Sequence, residues 1–122
     1  MPIRGELKRA MLVPLGEYPA VLTSVDIGPE GEHGATWAWT FSISAGEFAD
    51  VELSGLSSQT FSTYPSKAFR WASALGHPAE ADFNSDLVIN HQCRLKVDVI
   101  IKPDGGQRNR IMDVLPPTKA QV

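Results

Sequence analysis

The side chains best suited to hold a metal or move a proton are His33, His77, His91 and Cys93, and they stand too far apart to form a recognisable centre. His91 and Cys93, two residues apart on a strand, would share a face, but two ligands do not make a zinc site. The acidic residues between Gly28 and Gly34 lack the ligand density of a calcium loop. No Gly-Lys-Ser/Thr phosphate loop and no Gly-x-Ser-x-Gly elbow occurs. No catalytic residue, metal or cofactor is therefore assigned, and a non-enzyme is expected.

Binding chemistry is better represented. Lys67, Arg70, Arg94, Lys96, Arg108 and Arg110 could track phosphates, and Trp37, Phe61 and Tyr64 could stack on bases. These cations lie in the second half of a chain whose net charge is −3. From Ala10 to Ser66 there is no Lys or Arg, while Glu17, Asp26, Glu30, Glu32, Glu47, Asp50 and Glu52 all fall there. That acidic half suits a basic protein partner instead.

The elements that must position these residues follow from periodicity. Gly16 to Ile27, rich in β-branched residues, reads as a first strand. Ala35 to Ser44 alternates strictly, with Trp37, Trp39, Phe41 and Ile43 on the buried face; Trp37, nearest the strand end, could protrude past it. Val51 to Phe61 is a weaker third strand interrupted by Gly55, and Phe61 and Tyr64 follow it without an apolar pattern, as exposed stacking residues would. Ser66 can cap a helix reaching Leu75, with Gly76 and Pro78 as its stop. Ala68, Trp71, Ala72 and Leu75 form its apolar stripe, leaving Lys67, Arg70 and Ser73 outside and Phe69 at the boundary. Cys93, Leu95, Val97, Val99 and Ile101 are expected inward on a fourth strand, and a turn at Pro103 to Gly106 leads to a fifth over Arg108 to Val114.

Three strands, a helix and two strands is the order of an OB-fold. The expected architecture is mainly β: a five-stranded OB-fold-like barrel, partly open, with one helix between strands 3 and 4 over its end. A chain of 122 residues has room for one such domain, here residues 16 to 116, after an N-terminal arm (1 to 15) whose Arg4, Lys8 and Arg9 are its only cations and before a short tail (117 to 122). A single cysteine excludes an intramolecular disulfide, and no segment is long and apolar enough for a signal peptide or membrane span; a soluble cytoplasmic protein, the host's cytoplasm if viral, is expected.

Three stretches also carry a family resemblance. Ser66-Lys67-Ala68-Phe69-Arg70-Trp71-Ala72-Ser73-Ala74-Leu75-Gly76, then Asp86-Leu87-Val88-Ile89-Asn90 running into Cys93 to Val97, then Asn109 to Pro116, resemble in order the motifs of small bacteriophage OB-fold proteins of the single-stranded-DNA-binding type. Asn90 stands where that pattern usually has Gly, and Asn tolerates the left-handed backbone the turn needs. The resemblance implies non-catalytic binding of single-stranded DNA in viral replication or recombination, with replication or recombination proteins as further partners. Unpaired strand edges add the expectation of a homo-oligomer. The alternatives are an assembly module of a phage particle or replication complex, and an oligosaccharide-binding OB module.

Overall fold

A computed structural model describes residues 12–30, 34–61, 66–78 and 80–117. Tyr64, the arm over residues 1–11 with its three cations, and tail residues 118–122 lie outside them. The protein is mainly β: strands β1 (Gly16–Ile27), β2 (Thr36–Ile43), β3 (Glu52–Ser58), β4 (Gln92–Ile101) and β5 (Gln107–Leu115), with one α-helix, α1 (Lys67–Ala74). All strand pairs are antiparallel in one sheet of order β3-β2-β1-β4-β5.

β1 is central because its two halves serve different neighbours. Gly16 to Val21 pair with β4 and Ala20 to Ile27 with β2, with a register shift between Leu22 and Ser24. An extra residue at Thr23 bends and twists the strand, which lets the sheet coil around its apolar face. That face carries Leu22, Trp39, Phe41, Ile43, Cys93, Leu95 and Val97, all fully buried as the alternation requires. The edge strands β3 and β5 approach each other without a hydrogen-bonded ladder among the described residues. What joins them is a side chain from α1. A Cβ on Gly55 of β3 would lie 2.7 Å from Trp71 Cη2 and 3.5 Å from Ile111 Cδ1 of β5, so the bare glycine is the space Trp71 fills.

Two expectations need correction. Val99 and Ile101 are not inward-facing core residues but 36% and 72% exposed. Their alternation is intact, but β1 begins at Gly16 opposite Val97, so no strand lies alongside the rest of the β4–β5 hairpin. The expected arm, conversely, does not stop short of the domain: Val13 is fully buried. Asn109 holds it, its Oδ1 accepting from Val13 N–H at 2.9 Å and its Nδ2 donating to Val13 O at 2.8 Å.

The turn before β4 forms with Asn90 in the left-handed region at φ 70°, its N–H donating to Leu22 O at 2.7 Å. Cys93 is a small apolar core residue, and burial pushes its thiol up to about 12. Among the described residues, no helix is long and apolar enough to cross a membrane.

Candidate nucleic-acid interface

Helix α1 begins where the sequence places its cap: Ser66 Oγ accepts from Phe69 N–H at 3.2 Å. It ends at Gly76, whose φ of 92° only glycine adopts without strain. Ala68, Trp71, Ala72 and Leu75 are buried, which leaves Lys67, Arg70 and Ser73 exposed. The Lys67 ammonium lies 4.8 Å from the centroid of the Trp71 ring. Burial first, then the like charges of Arg70 and Arg110, lower its pKa from the ordinary lysine value. The N-terminal turn of α1 and the middle of β5 thus bring three of the six predicted phosphate-binding cations to one place.

The outer face of β4 is different. Arg94 Nη1 donates to Glu17 Oε1 at 2.8 Å and its Nε to Pro116 O at 2.9 Å, tying β1, β4 and the end of β5 together. Lys96 stands in register between Glu17 on β1 and Asp113 on β5. Arg110 forms a two-pronged ion pair with Asp98 across the hairpin, through Nε and Nη2. That pair raises the Arg110 pKa further. Arg108, opposite Ile100, is exposed, and no salt bridge joins it to a described carboxylate.

The predicted stacking residues are engaged with one another's neighbourhood rather than standing out. Trp37 is half-buried, its ring 4.6 Å from that of Phe83 and tilted by 33°. Phe61 was expected exposed; it is half-buried between Phe69 (5.3 Å), His77 (5.3 Å) and Phe83 (5.1 Å). Sequence reasoning missed Phe83, which sits in an acidic connector with no periodicity to mark it. His77 holds that connector: its Nε2 accepts from Asn84 N–H at 3.1 Å, so the proton is on Nδ1, which donates to Pro78 O at 2.9 Å. His91 Nδ1 donates to Leu75 O at 2.8 Å and lies exposed while Cys93 is buried, so the two do not share a ligand position.

The outer face of β1, β2 and β3 carries hydroxyls instead of cations: Ser24, Thr40 and Ser54 form one cross-strand row, with Asp26 and Glu52 nearby. At the far end of α1 from Lys67, a shallow groove of about 460 Å³ runs between Ser73, Leu75, Gly76, His91 and Pro116. None of the predicted site residues lines it. No protein-family model matches this chain, and no curated protein matches it.

Proposed function

We propose that this chain is an OB-fold-type protein that binds single-stranded DNA without chemistry, through Lys67 and Arg70 of α1 with Arg108 of β5. The observation that carries the reading is that Lys67 and Arg70 stand exposed on the outer face of α1 with no salt bridge to a described carboxylate, and the like charges of Arg70 and Arg110 oppose the charge of Lys67. An anionic ligand relieves that opposition, and a phosphodiester chain supplies a run of such anions. The half-buried rings of Trp37, Phe83 and Phe61 adjoin the same helix through Phe69 and give bases an aromatic border. Arg94, Lys96 and Arg110, opposed by carboxylates, leave the binding set.

The barrel reading is supported by the strand order, by the doubly paired β1 and by the approach of β3 to β5 around Trp71. In such folds the outer face of strands 2 and 3 commonly receives the ligand. Here that face lacks any cation, which moves the proposed DNA track to α1 and β5. A role in phage replication or recombination in the host cytoplasm, as a homo-oligomer working with other replication proteins, fits this reading.

Fluorescence anisotropy with a labelled thirty-base oligonucleotide over a series of salt concentrations tests it. Affinity should fall linearly with salt on logarithmic axes. Lys67→Ala and Arg70→Ala should each flatten that slope by about 0.7, the value for one lost contact on a single strand. Arg94→Ala and Lys96→Ala should leave it unchanged. Absence of binding at low ionic strength would overturn the reading and favour an assembly module that meets a basic protein through Asp26, Glu47, Asp50 and Glu52.

A further inference from the structure

The β4–β5 hairpin runs on past the end of β1, which leaves one side of β4 unpaired from Asp98 to Ile101. Lys102 N–H donates to Gly106 O at 2.7 Å across the turn. Backbone groups alternate in direction along an antiparallel ladder, so Lys102, Ile100 and Asp98 turn theirs to β5. The bond from Asn109 Nδ2 to Asp98 O, at 3.2 Å, agrees. The N–H and C=O groups of Val99 and Ile101 therefore point the other way, where β1 has ended, and no described residue hydrogen-bonds them. Soluble proteins usually blunt such an edge with charge, proline or shortness. This one reads Val99-Ile100-Ile101, β-branched throughout, with Val99 and Ile101 exposed.

We propose that a second copy of this chain pairs along this edge, β4 antiparallel to β4, about a two-fold axis beside Ile100. In that register Val99 faces the partner's Ile101, and the two exchange N–H···O bonds; symmetry repeats the pair on the other side of the axis. Their exposed side chains, on the face that continues the core, meet across the seam. Asp98 falls opposite the partner's Lys102, so a carboxylate meets an ammonium at each end of the seam. The neighbouring registers lack this match. An axis beside Val99 sets Lys96 against the partner's Lys102 and competes with Gly16 for Val97. An axis beside Ile101 sets Asp98 against the partner's Asp104 and requires an N–H of Pro103, which has none. Charge and hydrogen-bond parity thus select one alignment. The dimer does not depend on DNA binding, since Lys67, Arg70 and Arg108 all lie off the seam.

Sedimentation velocity over a concentration series reaching the millimolar range should show a species of twice the 13.3 kDa chain mass. Lys102→Glu sets like charges opposite one another at each end of the seam and should weaken dimerisation about tenfold. Asp98→Lys should do the same, and an equimolar mixture of the two variants should recover the dimer, because the mixed pair restores opposite charges in both places. Melting curves show whether each variant folds. Ile100→Cys reads the register without touching a charge. Facing Cα atoms of a non-hydrogen-bonded pair lie about 4.5 Å apart, within disulfide reach, so mild oxidation should link the chains there. Val99→Cys and Ile101→Cys should not link, and the natural Cys93 is buried. A single-chain mass at every concentration, with no cross-link through Ile100→Cys, would overturn the dimer and leave the edge to residues 1–11 of the same chain or to a different protein. Cross-linking through Val99→Cys or Ile101→Cys instead, or a dimer indifferent to the charge variants, would overturn this interface. Each of these results leaves the DNA-binding reading to its own anisotropy test.

Discussion

The outer face of β4 and the first turn of α1 carry cations at similar density, yet they differ in what surrounds them. Around β4 each cation meets a carboxylate across the sheet: Arg94 has Glu17 of β1, Lys96 stands between Glu17 and Asp113, and Arg110 of β5 has Asp98 of β4. On α1, Lys67 meets Arg70 and Arg110. A strand in a sheet has neighbours on both sides at fixed register, so complementary charges can be set opposite one another. A short surface helix packed by one stripe leaves its outer residues without such neighbours. The lesson is that the number of cations in a segment says little about its free charge; the residues opposite decide it.

Both regions depend on one core, and the most damaging test strikes that dependence. Val97→Asp places a carboxylate beneath the β4 face, where Val97 is fully buried and faces Ile111. It should destabilise the domain by about 4 kcal/mol, in the range of an unpaired buried charge, read as a shifted urea midpoint. An unchanged midpoint would break the register on which the ion pairs of β4 rest.

The strands were legible in the sequence because β2 and the first part of β4 are strictly periodic and β1 is rich in β-branched residues, and the helix had a cap and a stop. The charge pairing was not. Glu17 and Arg94 are separated by most of the chain, and only the order of the strands brings them together. Nor could alternation alone say where the core ends along β4: Val99 and Ile101 continue the pattern into a hairpin that has no third strand beside it. Phe83 and Asn109 carry no local signal, since one lies in an irregular connector and the other is a polar residue that acquired its role from Val13, far away in sequence.

The α1 side of the comparison rests on Trp71 being seated over Gly55. Gly55→Ala puts a methyl 2.7 Å from Trp71 Cη2, and neither β3 nor the helix can give way without disturbing the ring. Overpacking of this kind should cost about 1–3 kcal/mol and displace the Lys67-bearing turn. A melting temperature equal to that of the parent would mean that Trp71 is not wedged between β3 and β5.

A smaller change should convert one region into the other. Asp98→Asn removes the charge of the carboxylate that holds Arg110 and leaves that guanidinium beside Lys67 without an ion-pair partner among the described carboxylates. Binding to single-stranded DNA should then strengthen, with a steeper salt dependence measured by anisotropy. Weaker binding would show that Asp98 serves to aim Arg110, and that pairing does not silence it.

The smallest effect bears on Lys67 itself and is decided by sign. Burial and the like charges of Arg70 and Arg110 disfavour its charge, while the Trp71 face favours it. The folded-state pKa lies below the ordinary value of 10.5, so the unfolded chain binds more protons between the two values. Stability therefore gains as pH rises through the folded-state pKa, and the penalty is fully present below it. Lys67→Met keeps the stem and removes the charge, so at neutral pH it should melt higher by at most about 3 °C, while DNA binding weakens. The gain should shrink as pH approaches 10.5, where the parent sheds the same charge. A lower melting temperature at pH 7 would mean that the cation–π contact outweighs the crowding, and the α1 cluster would then be as well satisfied as the paired cations of β4.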